Sequence, residues 1–383
     1  MFGRLAGSAA GYCGFGMEGD GNVTRDEQGG RPDGPAVGAK GPFGPGLVRF
    51  VLLVLVLVLS GAAWVGSYAV TPLVPDATDS RLVLIPPRTV LPGIQRLLVE
   101  GGVIRDDVRF RILARLLGDE RRLQAGEFRL SPGQTPLAIL KILAAGRIVL
   151  RPVTIPEGAS LAEIADILVA GGWVDRAEFL RLAVDPTFIR DDLRLASDSL
   201  EGYLFPDTYY LGRGQGPRDI VRMMVVRLRE LLGEIGIDGK GSPAHGLTLH
   251  QLLTLASIVE KETAVAAERP LIARVFLNRL QKGMRLQTDP TVIYGLADFD
   301  GNLTRKDLRE PTPYNTYLIK GLPPGPIASP GRAAIEAVLQ PAEGAYLYFV
   351  SKNDGTHQFS SSLAEHNRAV RRYQKSPSRR GKR

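Results

Sequence analysis

The sequence predicts an α+β fold that follows a single N-terminal transmembrane helix. Residues 50–70 contain no charged side chain, and a run of about 20 apolar residues is long enough to span a bilayer core. Residues 94–104 and 164–174 share their apolar positions and a Gly-Gly pair, which indicates a duplicated strand–helix–helix unit. Residues 249–263 and 268–281 have the apolar spacing of amphipathic helices, so the C-terminal part is predicted to be mainly helical.

The N-terminal tail, residues 1–46, differs in composition from the rest of the chain. It is rich in Gly and Pro and poor in aliphatic residues, so we predict a disordered cytoplasmic tail. Its Cys13 is the only cysteine of the chain, which excludes a disulfide framework. The formal net charge of +8 over 383 residues suggests an anionic partner, which could be nucleic acid, anionic lipid or an acidic polymer.

Residues 48–70 are predicted to form the transmembrane helix, in the inner (plasma) membrane. Lys40 and Arg49 lie on its N-terminal side, whereas the nearest charges on the other side are Asp76 and Asp79. The positive-inside rule then makes the tail cytoplasmic and the rest of the chain extracytoplasmic. This topology disfavours nucleic acid as a partner. The apolar run and the segment before it are both too long for a cleaved signal peptide.

Residues 80–185 contain the two copies of the strand–helix–helix unit, and each copy follows a strand that ends in Ile-Pro. A further strand and helix lie between them. Small duplicated units of this kind are usually binding or packing modules. The intervening segment is basic, with Arg129, Lys141, Arg147 and Arg151. It is either a solvated face or a surface that meets a negatively charged polymer.

The segment EGYLFPDTY at residues 201–209 combines aromatic residues with two acids. Aromatic rings stack on sugars and carboxylates bind sugar hydroxyls, although the same rings could form core. Residues 284–294 are predicted to be an extended turn, and the proline-rich residues 323–330 a rigid loop. Two strands, at residues 346–350 and 356–360, are predicted to form a hairpin before a closing helix.

Glu260 is the first candidate for catalysis. On the helix predicted for residues 249–263, it lies about 20° from Leu253 and therefore faces the apolar side. Glu262 lies about 200° further round and is predicted to point away. A carboxyl in an apolar wall resists ionisation, and its protonated form can donate a proton to a glycosidic oxygen. The alternative is a structural Glu260 at the edge of the core, paired with an arginine such as Arg274 or Arg279.

Other chemistries are disfavoured by the sequence. The histidines, which are His245, His250, His357 and His366, are not spaced as paired metal ligands, and no H-E-x-x-H motif is present. The sequence also contains no Gly-rich phosphate loop and no G-x-S-x-G elbow. It therefore predicts neither a metal site nor a cofactor, and it favours acid–base catalysis by carboxylates.

Several motifs of the C-terminal half follow one another along the chain: ASIVEKET, RVFLNRL, GMRLQTDPTVIYG, YNTY, GLPPGPIASPG and GTHQFS. Together with IPEG at residues 155–158 and EGYLFPDTY, they resemble the endolytic murein transglycosylases of the MltG (YceG-like) family. The resemblance runs from about residue 80 to residue 373. It implies a LysM-like peptidoglycan-binding region at residues 80–185 and a catalytic domain at residues 186–373, before a basic tail at residues 374–383.

The resemblance also implies a reaction. Enzymes of this family cleave the MurNAc-β-1,4-GlcNAc bond of nascent peptidoglycan without water, leave 1,6-anhydro-MurNAc ends and terminate strand elongation. The Glu of the ASIVE motif is catalytic in the family and corresponds to Glu260, which would act first as an acid and then as a base. Gln287, Asp289, Asn315 and Tyr317 are expected to hold the glycan or to stabilise the oxocarbenium-like charge. The implied partners are peptidoglycan glycan strands and peptidoglycan synthases of the same membrane.

Two alternative functions stay open. A membrane-anchored muramidase would use water as the nucleophile, and it needs a second carboxylate across the cleft, for which Asp289 is the nearby candidate. A non-catalytic peptidoglycan-binding protein would instead use Glu260 only as a structural ion pair. The mass of the released product separates the first alternative from a lytic transglycosylase, and a Glu260→Gln variant tests the second.

Overall fold

The computed structural model describes residues 45–237 and 244–374. The predicted tail up to residue 44, with its Cys13, and the basic tail from residue 375 lie outside these ranges. The chain divides into two compact units, residues 1–61 and residues 62–383. In the first unit the described residues all belong to a helix, α1 (Pro45–Val70), and residues 46–61 are exposed along its length. This helix is long and apolar enough to cross a membrane, as the sequence predicted.

The second unit is mainly helical with small sheets, which confirms the α+β class. Beyond α1 its helices are α2 (Leu91–Glu100), α3 (Val108–Leu116), α4 (Pro136–Ala144), α5 (Leu161–Ala170), α6 (Arg176–Leu182), α7 (Pro217–Glu234), α8 (Leu249–Glu262), α9 (Arg269–Gln281), α10 (Asp289–Gly295), α11 (Arg332–Leu339) and α12 (Leu363–Tyr373). Its strands are β1 (Arg81–Ile85), β2 (Gly126–Leu130), β3 (Leu150–Thr154), β4 (Thr208–Gly212), β5 (Tyr348–Ser351) and β6 (His357–Ser360). They pair antiparallel as β1–β2, β3–β4 and β5–β6.

The first module comprises β1, α2, α3, β2 and α4. Strand β1 alternates its side chains, so that Val83 and Ile85 point inward, and Val83 is opposite Phe128 of β2. Phe110 and Phe128 are fully buried at its centre. Burying a side chain of this size stabilises the fold by about 1.5–3 kcal/mol. Residues Val65, Tyr68 and Ala69, in the last two turns of α1, are buried in the same core.

The second module comprises β3, α5, α6 and β4, and it repeats the strand–helix–helix order of the first. In both copies the second glycine of the Gly-Gly pair ends the helix in the left-handed region, with φ of 64° at Gly102 and 65° at Gly172. The order of elements and the glycine conformations agree with the duplication predicted from the sequence, which stays a prediction. A LysM-like character of these modules stays a prediction.

One continuous core contains buried residues from Ile155 to Val338, so the second module packs together with the helices that follow it. Helix α8 lies at the centre of this core, and its residues 252–259 are all buried. The helix begins with a capping box, in which Thr248 Oγ1 accepts from Gln251 N and Gln251 Oε1 accepts from Thr248 N. The predicted boundary at residue 185 stays a prediction.

The prediction of an extended turn at residues 284–294 is wrong in its second half, where α10 forms. Asp289 and Pro290 begin this helix, and Pro is favoured at the first turn because its missing N–H has no helical partner there. The predicted hairpin is confirmed as β5 and β6, with Phe349 opposite Phe359. The closing helix α12 packs on this hairpin and is capped by Ser362 and Glu365.

Candidate functional site

A cleft of about 470 Å³ lies between the C-terminal end of α8, the loop before α10, the β5–β6 hairpin and α12. It brings together three of the predicted binding residues, which are Gln287, Asp289 and Tyr317. The other side chains that line it are Glu262, Arg279, Tyr348, Phe349, Val350, Ser351, His357, Leu363, His366, Val370 and Gln374. The cleft is therefore polar, with acids, a buried arginine, histidines and aromatic rings.

Glu262 is the last residue of α8, and its carboxyl faces the cleft. The Thr288 hydroxyl donates to Glu262 Oε1. Burial, with a smaller contribution from the Asp289 carboxylate, raises the pKa of Glu262 to about 7, against the lowering effect of that hydrogen bond. Glu262 points away from the apolar side of α8, as predicted, but into the cleft and not into open solvent. A helical wheel assumes a solvent face, but the 286–289 loop and the hairpin cover this end of α8.

Glu260 is buried, as predicted, but in a closed ion pair. Its Oε1 lies 2.9 Å from Arg269 Nη2, and its Oε2 accepts from Gly331 N at 3.0 Å. The side chain is 6% exposed. Glu157 lies 3.9 Å from the same arginine. Glu260 is not among the residues that line the cleft. The structure thus matches the alternative of a Glu–Arg pair, with Arg269 in place of the expected Arg274 or Arg279.

The two arginines named in that alternative bind backbone carbonyls. Arg274 Nε donates to Ala342 O at 2.5 Å. Arg279 Nε donates to Leu347 O at 2.7 Å, and its Nη1 donates to Leu286 O at 2.6 Å. Arg279 therefore joins α9 to the hairpin and to the cleft loop, and it places a positive charge at the floor of the cleft.

Asp289 and Tyr317 form a pair at the wall of the cleft. The Tyr317 hydroxyl donates to Asp289 Oδ1 at 2.6 Å. The backbone behind them is tied as well, since Gln287 N donates to Thr316 O at 3.2 Å and Thr288 N to Thr316 Oγ1 at 3.1 Å. Gln287 has a φ of 48°, which is uncommon for a residue with a side chain. The loop that carries the polar side chains is therefore rigidly held.

Asn315, the fourth predicted binding residue, lies behind the cleft and does not line it. It is fully buried, and its Nδ2 donates to Glu310 O at 2.8 Å and to Leu308 O at 3.2 Å. Its Oδ1 accepts from Tyr317 N at 3.0 Å. In this structure Asn315 shapes the loop that presents Tyr317.

Sequence reasoning missed a histidine–glutamate pair at the cleft. His357 Nδ1 lies 2.7 Å from Glu268 Oε2, and His357 N donates to Glu268 Oε1 at 2.7 Å. Glu268 is buried, whereas His357 lines the cleft. The histidines had been considered only as metal ligands, although His357 stands in the GTHQFS motif. Within the described ranges, no group of three or more His, Cys, Asp or Glu side chains is placed to hold a metal ion.

Glu201, in the EGYLFPDTY segment, is a second buried carboxyl. Its Oε1 accepts from Leu161 N at 3.1 Å, and its Oε2 accepts from the Tyr294 hydroxyl at 3.0 Å. Burial raises the pKa of Glu201 to about 7, against these hydrogen bonds. Tyr203 and Tyr209 are buried in the core, which supports the packing role rather than sugar stacking for these rings.

The cleft combines a carboxyl whose pKa is raised to about 7 with the nearby Asp289 carboxyl and the Arg279 guanidinium. A group with a pKa near the working pH can both give and take a proton. The Thr288 hydrogen bond to Oε1 leaves Oε2 of Glu262 for the proton. This arrangement is suited to general acid–base chemistry on a polar substrate.

The chain is similar to proteins of a known family. The model of the YceG-like family matches residues 83–372. An endolytic murein transglycosylase of Bacillus subtilis (strain 168) is 32% identical over 332 residues, which is 83% of this chain and 91% of the relative. One from Streptococcus pneumoniae serotype 2 is 31% identical over 353 residues, which is 83% of this chain and 63% of the relative. A solved structure of a yceG-like protein from Listeria monocytogenes is 35% identical with a TM-score of 0.49, and the match covers 76% of this chain and 98% of that chain.

Proposed function

This chain belongs to the YceG-like family, and from that premise we propose that it is an endolytic lytic transglycosylase that cuts peptidoglycan strands. Relatives of 32% and 31% identity are named endolytic murein transglycosylases, and the first of them is matched over 91% of its length. The proposed reaction cleaves the MurNAc-β-1,4-GlcNAc bond without water. It leaves a 1,6-anhydro-MurNAc end and so terminates elongation of the strand.

The observation that carries the chemistry is the Glu262 carboxyl, which faces the cleft with a pKa raised to about 7. In the first step the protonated carboxyl gives its proton to the glycosidic oxygen, and the bond from that oxygen to C1 of MurNAc breaks. In the second step the resulting carboxylate takes the proton of the C6 hydroxyl while O6 bonds to C1. The proton count balances, and a single carboxyl serves both steps.

The surrounding side chains have roles that follow from their contacts. Asp289 presents a carboxylate held by the Tyr317 hydroxyl at 2.6 Å, and this charge would stabilise the oxocarbenium-like transition state. Thr288 orients the Glu262 carboxyl through its hydroxyl. Gln287 and Arg279 line the cleft where sugar hydroxyl and acetamide groups would bind. Asn315 supports this site from behind by holding the Tyr317 loop.

The geometry favours Glu262 over Glu260 as the acid. Both oxygens of Glu260 are occupied, by Arg269 and by Gly331 N, at 2.9 and 3.0 Å. The resemblance assigned catalysis to Glu260, and that assignment stays a prediction which a matched pair of variants tests.

We expect Glu262→Gln to lower the release of anhydro-muropeptides from purified sacculi by roughly 10²–10⁴-fold, the usual contribution of a general acid–base group. Glu260→Gln, assayed at a temperature where it is folded, should retain activity. The reverse result would assign catalysis to Glu260.

Hydrolysis is the second candidate reaction, because Asp289 lines the same cleft as Glu262 and could direct a water molecule. Mass spectrometry of the released muropeptides decides between the two. A hydrolytic product is heavier by one water than the anhydro product. Reducing-end MurNAc in place of anhydro-MurNAc would make this protein a muramidase.

The proposed location is the inner (plasma) membrane, with α1 as the anchor. The apolar helix, the basic residues before it and the cell-wall activity of the relatives support this location. The N-terminal tail would then be cytoplasmic and the cleft extracytoplasmic, where peptidoglycan is. The two modules would bind glycan strands in the manner of LysM domains. Peptidoglycan synthases of the same membrane are the proposed protein partners.

A further inference from the structure

Helix α3 presents an apolar stripe on its outer side. Val108 and Leu116 are 48% and 72% exposed, and Ile112 between them is half-buried. The three residues are spaced by four, so they span about 80° of the helix surface. The opposite face buries Phe110 and Leu113 in the module core. Because the inner face of α3 already packs in the module core, the exposed apolar stripe is available to a partner.

The outer side of α3 is also basic. Arg111 and Arg115 lie on one edge of the stripe, within about 60° of Val108. Arg105 precedes the helix, and Arg121 follows it. The ion pair of Arg115 with Glu120, at 3.4 Å, is exposed and therefore weak. An apolar stripe flanked by arginines is the pattern of a helix that lies in a membrane interface, where the arginines meet lipid phosphates.

The other edge of the stripe contacts the end of α1. The Arg109 guanidinium lies 5.2 Å from the centre of the Trp64 ring and 4.9 Å from that of Tyr68. Its Nη1 also donates to Trp64 O at 3.3 Å. Trp64 is half exposed, whereas Val65 and Tyr68 are buried in the first module. Helix α3 therefore contacts α1 at Trp64, through Arg109.

The length of the apolar run indicates where a bilayer would end. From Gly46 to Trp64 a helix rises about 28 Å, which matches a hydrocarbon core of about 30 Å. Trp64 would then lie at the outer boundary of that core, where tryptophan is enriched. A helix fixed at this level lies beside the lipid headgroups.

We propose that α3 docks on the outer leaflet of the membrane, with Val108, Ile112 and Leu116 against the lipid and the arginines on anionic headgroups. The inference rests on the proposed function only in taking α1 as a membrane anchor. The first module is then a membrane-surface element as well as a packing unit. It holds the rest of the second unit close to the bilayer, where newly made strands emerge.

The test uses the full chain with Cys13→Ser, in nanodiscs of phosphatidylcholine and phosphatidylglycerol that hold one copy each. Single cysteines replace Leu55 in α1, Leu116 in α3 and Leu363 in α12, all of which are exposed. Each carries an environment-sensitive fluorophore, and doxyl-labelled lipids serve as quenchers. We expect strong quenching at positions 55 and 116 and none at position 363.

If the label at position 55 is quenched but the label at position 116 is as little quenched as the label at position 363, the inference is overturned and the anchor is not affected. The absence of quenching at position 55 would overturn the anchor itself, so the two failures are distinguishable. A blue-shifted but unquenched label at position 116 would show contact with protein in place of lipid, which also overturns the inference.

Discussion

Glu260 and Glu262 are two residues apart on α8 and have opposite environments: Glu260 is locked to Arg269 at 2.9 Å, whereas Glu262 faces the cleft with its pKa raised to about 7. The first carboxyl accepts hydrogen bonds from the Arg269 guanidinium and from Gly331 N. The pKa of the second is raised mainly by burial, against the lowering effects of the Thr288 hydrogen bond and the Arg279 charge. The same helix end therefore carries two carboxyls in different environments.

The activity should fall as the pH rises above about 7. The first step needs protonated Glu262, and the fraction in that form decreases through its raised pKa of about 7. The measurement is the initial rate of anhydro-muropeptide release from sacculi between pH 5 and 9. A rate that stays constant from pH 6 to 9, with the protein folded throughout, would contradict the assignment.

Removing the Glu260 charge should destabilise the fold. Glu260→Gln leaves Arg269 buried, with only Glu157 at 3.9 Å to compensate its charge. Breaking one side of a buried ion pair costs about 3 kcal/mol. We expect a lower midpoint of denaturant unfolding. Arg176→Gln, which removes an exposed pair with Asp166, is the matched control and should shift the midpoint little. Equal shifts in the two variants would argue against a structural role for Glu260.

Tyr317→Phe should lower the catalytic rate about tenfold and should also lower the free energy of unfolding. The substitution removes the hydroxyl that donates to Asp289 Oδ1 at 2.6 Å, and a hydrogen bond to a charged group is worth about 1.5–3 kcal/mol. Tyr210→Phe, at an exposed position of β4, is the control. Both rates are measured on sacculi under the same conditions. If the Tyr317→Phe enzyme is as fast as the control, the hydrogen bond from Tyr317 to Asp289 does not contribute to catalysis.

Stability should decrease as the pH rises through about 7, partly because of Glu201. Its pKa is raised from 4.5 to about 7, so the fold favours the neutral carboxyl. That contribution is fully present below pH 4.5 and is lost as the pH passes the folded value, by about 3 kcal/mol in all. Glu262 adds an effect of the same sign.

Glu201→Gln, which is neutral at every pH, should therefore flatten the dependence of the unfolding free energy on pH between 5 and 8. The variant keeps a polar partner for Leu161 N and Tyr294. If the slope of the variant equals that of the parent protein, Glu201 ionises as freely in the fold as in the unfolded chain.

Gln287→Gly should stabilise the fold and weaken the enzyme. Gln287 has a φ of 48°, and the strain of a side chain in this region costs about 1 kcal/mol, which glycine relieves. The same change removes a side chain that lines the cleft, so we expect a higher KM. Thermal unfolding and kinetics on soluble glycan oligomers measure the two effects. If the variant is more stable and its KM is unchanged, Gln287 does not contribute to substrate binding.

Local patterns predicted much of the fold. The apolar run, the amphipathic helices at residues 249–263 and 268–281 and the hairpin each depend on residues close in sequence, and each is present. The beginning of α10 was missed although Asp289-Pro290 is a recognisable helix start. That error came from treating a row of polar residues as a loop.

The site could be predicted only in part, because it depends on packing between distant segments. Gln287, Asp289 and Tyr317 were found through their motifs, and they do meet in one cleft. The environment of Glu262 depends on Thr288, and that of His357 on Glu268, which is 89 residues away. A helical wheel carries no information about such neighbours. In α8 the consecutive residues from 252 to 259 are all buried, so the wheel could not show which neighbours each side of the helix meets.

The bridge from Leu161 N through Glu201 to Tyr294 joins the start of α5 to α10, the helix that begins with Asp289. The second module also shares one core with α8 and α9, so that its distance from these helices is fixed by packing. If the second module binds a glycan strand as proposed, the strand would be cut at a constant number of sugars from the bound segment. The released fragments would then have a narrow distribution of lengths.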